Sequence, residues 1–314
     1  MALVNFILFI TSLFFLVRSA TYAMRYSAKL AKFFHLSEFV VSFFIVAVIS
    51  TFPEMTVAIV SALEGVPEFG MGTLLGSNIT DLTLVLGLVA LFSLKGVRVK
   101  SEILKEDYRY LLLLLFPVML GLDGRFSRLD GVLLVAAGVF FFLTLSIESK
   151  MFRRVYNHRD RSTLMKNLVL LVISLAALLI SASYTVKFGV HFAEDIQIPP
   201  MLVGLVMISI GSCMPELMFS LRAVRTKHDE MALGDILGTV ITDATIILGA
   251  TIIISPFSFQ PLLIYVTGFA MFLAGLMAVL FITSGKILTK KEGLYLLFFY
   301  IIYLITESLV NNLI

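Results

Sequence analysis

Runs of about 20 apolar residues recur along the whole chain, each long enough to cross about 30 Å of hydrocarbon as a helix rising ~1.5 Å per residue. They predict ten helical spans, at residues 2–24, 37–62, 70–93, 107–121, 127–147, 166–188, 198–222, 231–255, 260–284 and 290–311. Polar residues break this pattern in two ways. Short basic clusters separate the spans, and a few acids and hydroxyls fall inside them. The expected fold class is therefore an all-α membrane protein.

The basic clusters set an expected topology, because Lys and Arg are retained on the cytoplasmic side of short loops. The loops after spans 1, 3, 5, 7 and 9 hold 4, 5, 6, 3 and 3 of the 24 basic residues, and only Arg125, Arg128 and Lys187 remain for the other face. Odd-numbered loops are thus expected in the cytoplasm and both termini outside. Arg18 and Arg25 follow the first apolar run instead of preceding it, which fits a first span and not a signal peptide. Composition agrees: the chain is 59% hydrophobic and 14% charged, where a soluble domain holds about a quarter charged residues. The loops account for the net charge of +3, so no nucleic-acid partner is expected; contact with membrane lipids is. A single cysteine, Cys213, excludes an intrachain disulfide.

The polar residues inside the spans repeat. "GSNITDLTLVLG" at 76–87 and "GTVITDATIILG" at 238–249 share 7 of 12 residues, and the same offset of 162 matches Ser50 with Ser212, Pro53 with Pro215, Glu54 with Glu216, Gly72 with Gly234 and Asp81 with Asp243. Apolar helices resemble one another by composition alone, whereas matched Pro, Asp, Glu and Gly do not arise that way. The chain divides into a first five-helix repeat (1–149), a basic cytoplasmic linker (150–165) and a second repeat (166–314). Five spans per half is an odd number, so the second half is expected to enter the membrane inverted.

Each half carries two helices with a hydroxyl and a carboxylate four residues apart: Ser50 and Glu54, Ser77 and Asp81, Ser212 and Glu216, Thr239 and Asp243. Residues i and i+4 share a helix face. All four acids fall near the middle of their spans, where each charge costs at least about 2.5 to 3.5 kcal/mol unless it meets a partner, a wet cavity or an ion. No Lys, Arg or His lies at that depth, so the compensation is expected from bound cations, protons or water. Hard oxygen donors suit Na⁺, K⁺, Ca²⁺ or Mg²⁺. Pro53 and Pro215, placed just before the glutamates, cannot donate a helical hydrogen bond, which predicts broken helices 2 and 7 beside a midplane site. Gly72, Gly76, Gly234 and Gly238 form small-xxx-small pairs that let helices approach closely.

These residues resemble the paired repeats of the sodium/calcium exchanger family, in the calcium/cation antiporter superfamily. Its pattern is a Gly-Ser/Thr-Ser-x-Pro-Glu turn followed by a Gly-Ser-Asn-x-x-Asn/Asp segment, once per half; here the copies read "ISTFPE" with "GSNITD" and "GSCMPE" with "GTVITD". The resemblance implies that Glu54, Asp81, Glu216 and Asp243 surround the ion site. It implies Ser50, Thr51, Ser77, Ser212 and Thr239 as further oxygen ligands, and Ala47 and Ser209 as carbonyl donors. It also implies that spans 1 and 6 slide against a core of spans 2, 3, 7 and 8. Three departures bear on the ions: Asp at both segment ends, Ile49 where glycine is usual, and Cys213 in place of a serine.

Four carboxylates facing one divalent ion leave two excess negative charges, which brings in protons as counter-ions or competitors. The expected function is secondary-active cation antiport, Ca²⁺ against Na⁺ or H⁺ by alternating access, in the cell membrane. Inorganic cations are the ligands, with no cofactor, no soluble regulatory domain and a monomeric state. The alternatives are an H⁺- or K⁺-coupled exchanger of another divalent cation and, from another class, an intramembrane aspartyl protease pairing Asp81 with Asp243. Among the remaining polar residues, Asp235 reads equally as an entrance residue or a solvated helix cap, Glu307 as an interface or packing group, and Cys213 as a small packing residue.

Overall fold

A computed structural model describes residues 1–33, 51–93, 96–98, 108–148, 161–226, 228–285 and 287–311. Helices dominate, as they must where no water is present to satisfy backbone N–H and C=O groups. In chain order they are α1 (Ala2–Phe33), α2 (Phe52–Leu63), α3 (Pro67–Phe92), α4 (Tyr108–Leu120), α5 (Arg128–Glu148), α6 (Arg161–Asp195), α7 (Pro200–Arg225), α8 (229–254), α9 (Pro261–Gly285) and α10 (Lys290–Asn311). Pro67, Pro200 and Pro261 open three of them at a first-turn position where the missing N–H costs nothing.

Seven helices among the described residues are long and apolar enough to cross a membrane, and Phe52–Leu63 and Arg109–Leu120 are shorter apolar helices. The described part of the expected span 37–62 is α2 alone. Within the described residues the span expected at 107–121 is α4, 13 residues and about 20 Å long. At the other extreme α1 continues to Phe33 and α6 begins at Arg161, inside the expected linker. Neither 25–33 nor 161–165 contains Gly or Pro, so polar residues carry the helix on without a stop signal.

The all-helical expectation needs one correction. Two antiparallel pairs of two-residue strands are present: β1 (Val97–Arg98) with β4 (Ile287–Leu288), and β2 (Arg125–Phe126) with β3 (Phe257–Ser258). Each pair joins a strand from the first half to one from the second. Beside the second pair, Arg125 bonds the exposed Asp123 at 2.8 Å, which holds the Asp123 carboxyl below the usual carboxylate range.

Element boundaries recur at the sequence offset. Phe52–Leu63 is matched by Met214–Arg225 and Leu86–Phe92 by Leu248–Ile254, each 162 residues on. Contacts recur as well. A Cβ on Gly87 would lie 2.9 Å from the Gly293 carbonyl, so α3 meets α10 there; a Cβ on Gly131 would lie 2.7 Å from the Gly249 carbonyl, so α5 meets α8. Adding 162 turns Gly87 into Gly249 and Gly131 into Gly293, so the two contacts interchange.

Burial separates core from periphery. The most apolar stretches of α3 and α8 are each 83% buried, against 28% for α1 and 33% for α6. The outer pair packs against itself through Phe9, Leu13 and Leu16 with Leu178, Ala182 and Val186. At the centre α3 lies on α7 backbone to backbone: a Cβ on Gly72 would overlap the Met201 carbonyl, and one on Gly76 the Leu205 carbonyl. A carbonyl cannot swing aside as a side chain does. Gly76→Ala is therefore expected to destabilise the fold by about 1 to 3 kcal/mol, read as a lowered Tm in detergent, whereas Val139→Ala on the exposed side of α5 leaves Tm unchanged.

Candidate cation site

The chain is bent out of regular helix at each of the four acids. In α7 the break falls at Cys213, with φ −74° and ψ 0°, and Glu216 lies in the first turn of the segment that Pro215 helps to open. Thr51 has φ −72° and ψ 0° before Pro53 and Glu54 in α2. The two aspartates lie in widened π-type turns, Asp81–Val85 and Thr242–Ile247. There the Leu86 amide bonds the Asp81 carbonyl and the Leu248 amide bonds the Asp243 carbonyl, five residues back instead of four. Threonine hydroxyls take up carbonyls around these turns: Thr83 bonds Ile79, Thr245 bonds Ile241 at 2.6 Å and Thr242 bonds Gly238 at 2.7 Å. Such back-bonding bends helices and competes with the regular ladder.

Glu54, Asp81, Glu216 and Asp243 are all fully buried, at 0% exposure. Seven of their eight carboxylate oxygens have no hydrogen-bond partner. The eighth, Oδ2 of Asp243, lies 3.1 Å from the Ser77 hydroxyl, which is also 2.9 Å from the Leu74 carbonyl. One proton serves two acceptors, so Ser77 satisfies Asp243 or Leu74 but not both. The acids are near enough for charge to act between them: that of Glu54 on Asp81, Glu216 and Asp243, and that of Asp81 on Glu216 and Asp243. In a low-dielectric interior this mutual repulsion is weakly screened. No basic side chain among the described residues pairs with any of the four.

The other expected site residues divide. Thr51, Ser77, Ser209, Ser212 and Thr239 are buried with the acids, whereas Ser50 and Ala47 lie outside the described residues. Ser212 stands beside Glu54 and the Cys213 thiol beside Asp81, both without hydrogen-bond geometry to the carboxylate; the thiol instead reaches the Ser77 carbonyl at 3.6 Å. The Ser209 carbonyl accepts the Cys213 amide at 3.1 Å and the Ser212 hydroxyl at 3.4 Å. Among the described residues no three His, Cys, Asp or Glu side chains converge closely enough to hold one metal ion. The acids are gathered here without being closed into a cage.

Two residues gain weight. Asp235, on α8 two turns before Asp243, is 0% exposed, which removes the solvated-cap reading, and its charge acts on Asp81 and Glu216. Its counterpart 162 residues earlier is Thr73, so the repeat comparison gave no reason to include it. Asn78 is also fully buried; its amide nitrogen lies 3.5 Å from the Met271 sulfur and its carbonyl oxygen has no partner. The GSN triplet contains it, but the second half has Val240 there.

Known proteins share this arrangement of helices. The profile described as "Sodium/calcium exchanger protein" matches residues 4–147 and 166–308. The sodium/calcium exchanger MaX1 of Methanosarcina acetivorans is 27% identical over 350 aligned positions, covering 97% of this chain and 99% of MaX1. The inner membrane protein YrbG of Escherichia coli K12 is 28% identical over 271 positions, 81% of each chain. The solved structure of the sodium-calcium exchanger NCX_Mj soaked with 10 mM Na⁺ and zero Ca²⁺ superposes with a TM-score of 0.67 at 25% identity, covering 97% of this chain and 99% of that one. None of these matches is named as a protease. With the profile matched on both sides of the central linker and the fold shared along nearly all of both chains, this protein belongs to the sodium/calcium exchanger family and is a multi-pass membrane antiporter of cations, not an enzyme.

Proposed function

We propose that this antiporter exchanges Ca²⁺ for Na⁺ or H⁺ across the cell membrane by alternating access, and that Glu54, Asp81, Glu216 and Asp243 bind the ions at one midplane site. The observation that carries the proposal is the set of seven unpartnered carboxylate oxygens, fully buried on four helices, two from each half. A bare carboxylate there is too costly to keep, so a cation or a proton completes it. Ca²⁺ takes six to eight oxygens at about 2.3 to 2.6 Å, a number that the acids reach together with Ser50, Thr51, Ser77, Ser212 and Thr239 and the carbonyls of Ala47 and Ser209. The names of MaX1 and NCX_Mj, both sodium/calcium exchangers, support Ca²⁺ and Na⁺ as the pair. Acid at both segment ends and a thiol at Cys213 support H⁺ as an alternative driver, since a carboxylate takes a proton readily and a neutral thiol binds Na⁺ poorly.

The mechanism follows from duplication. We take 1–149 and 166–314 as inverted five-helix repeats, ten spans in all, joined by the basic linker at 150–165. The interchanging glycine contacts, the recurring helix bounds and the two stretches matched by the family profile support this division. Two oppositely oriented halves build mirrored pathways around one site. The loosely covered α1 and α6 are the sliding pair, moving over a core that includes α3 and α8. A site left with bare acids resists the crossing, which prevents leak. The protein works as a monomer with both termini outside, the arrangement favoured by its basic loops.

Proteoliposomes loaded with Na⁺, or with an acid interior, are expected to accumulate ⁴⁵Ca²⁺; no gradient-driven flux of any cation ends the proposal. Glu54→Gln and Glu216→Gln each remove a buried charge contact of about 3 kcal/mol, which lowers Ca²⁺ affinity by about 100-fold; equilibrium ⁴⁵Ca²⁺ binding by the purified variants measures it. Asp81→Asn keeps the shape and removes one charge. It is expected to shift the balance between Na⁺- and H⁺-driven Ca²⁺ uptake while leaving Tm unchanged, and an unaltered driving-ion profile takes Asp81 out of the site.

A further inference from the structure

The oxygen-bearing face of α8 extends beyond the cation site. Asp235, Thr239 and Asp243 follow one another at steps of four residues on one side of the helix, all fully buried. Asp235 lies about 9 Å along the axis from the start of α8 at Asp229 and about 12 Å before Asp243. The stripe thus leads from the end where α8 begins to the central acids. Neighbouring helices bring further oxygens to that end. On α7 the buried Ser220 is one turn beyond Glu216 on the same side, and its hydroxyl is 3.5 Å from the carbonyl of Ala232, one turn before Asp235. On α4 the phenol of Tyr110, a residue 6% exposed, has no hydrogen-bond partner and is within reach of the Asp81 charge. The first part of α8 packs on α4, on the Asp81–Val85 turn of α3 and on the last part of α7, so these groups share the end where α3 and α7 finish and α4 and α8 start. Another buried acid, Glu307, stands apart on a stripe of α10 with Tyr300 and Tyr303, and accepts a hydrogen bond from the Thr267 hydroxyl at 3.3 Å. The opposite end of the site is plainer. At the 162-residue offset Asp235 corresponds to Thr73, Ser220 to Ala58 and Tyr110 to Phe272. Thr73 donates its hydroxyl proton to the Phe69 carbonyl at 3.0 Å.

We propose that Asp235, with the hydroxyls of Ser220 and Tyr110, is a waiting position for Ca²⁺ between the central site and the face where α8 begins, with no equivalent toward the other face. The inference rests on the exchanger reading above and adds an asymmetry between its two faces. A packing role for Asp235 leaves the Tyr110 phenol unexplained, because a buried hydroxyl without a partner is costly; a water of a hydrated cation supplies that partner. Chemistry limits how firmly an ion is held there. One carboxylate and two hydroxyls fall short of the six to eight oxygens that Ca²⁺ takes, and no three acids converge on one point among the described residues. Ca²⁺ therefore keeps part of its water at Asp235 and loses it further along, where the four acids offer more oxygens and more negative charge. The charge of Asp235 acts on Asp81 and Glu216, so the two positions are electrostatically continuous. Weak holding suits the task, since an ion bound tightly on the way would be trapped there. Asp235 is buried in this conformation, and the opening of its face in the transport cycle admits the ion.

The test measures ⁴⁵Ca²⁺ uptake by right-side-out and inside-out membrane vesicles carrying the full chain, with equilibrium ⁴⁵Ca²⁺ binding by the purified protein in parallel. Asp235→Asn is expected to raise the half-saturating Ca²⁺ concentration about tenfold in one vesicle orientation only, the inside-out one on the topology of the basic loops. Equilibrium binding at the central site is expected to stay within about threefold of wild type, because a charge two turns away acts on it weakly. Asp235→Glu, which keeps the charge, is expected to restore uptake, and Tyr110→Phe, which removes one oxygen, to shift the same orientation in the same direction by a smaller factor. If Asp235→Asn does not fold, Tyr110→Phe decides. The orientation that shows the shift also reports the face on which α8 starts. An equal shift in both orientations, or none in either, overturns the waiting position and leaves the exchanger reading standing; absence of any gradient-driven cation flux in wild type removes that reading and the waiting position with it.

Discussion

The cost of holding carboxylate charge inside hydrocarbon governs this fold. Four fully buried acids, at no less than about 2.5 kcal/mol each, represent about 10 kcal/mol, the order of a protein's whole stability. Hydrogen bonds from the protein offset little of it, since one oxygen of eight has a partner and that partner, Ser77, is shared with a backbone carbonyl. Salt bridges among the described residues offset none. In the proposed mechanism the remaining compensation comes from outside the chain, as ions that enter and leave.

The backbone yields where the acids sit. Prolines break the ladder beside the glutamates, and π-type turns widen it at the aspartates. These irregularities are tolerated because they face the protein interior, and threonine hydroxyls take up nearby carbonyls. Close helix contacts hold the irregular segments in register. Glycines at 72 and 76 let α3 lie on the carbonyls of α7, and the Gly87–Gly293 and Gly131–Gly249 contacts lock each half's third helix to the other half's fifth. The two strand pairs add hydrogen-bonded links between halves at the helix ends. The most apolar stretches of α1, α6 and α10 are the weakly covered ones, at 28%, 33% and 28% buried, and in the proposed mechanism α1 and α6 move.

In the proposed mechanism, perfect repetition would give equal inner and outer pathways. The departures are therefore informative: Asp235 opposite Thr73, Asn78 opposite Val240, and the Tyr300, Tyr303 and Glu307 stripe opposite Gly138, Phe141 and Leu145. Asp235 and the α10 stripe are buried polar groups of the second half and Asn78 one of the first, and among their counterparts only Thr73 is polar, itself buried. They mark where the two halves differ, close to the acids and along one flank of α10.

Much was legible in the chain itself. Hydrophobic run length fixed most spans, because crossing a slab of given thickness sets a residue count, and the matched Pro, Asp, Glu and Gly at offset 162 identified the four acids, because such residues are too costly in lipid to recur by chance. Ends of helices were less legible: α1 and α6 run on past the apolar stretch, since a helix does not stop where hydrophobicity does. The tertiary structure alone decided the π-type turns at Asp81 and Asp243, the burial of Asp235, the pairing of Thr267 with Glu307 and the crossed glycine contacts. Each depends on which groups meet across helices far apart in sequence, and a local pattern carries no record of a neighbour that only packing supplies.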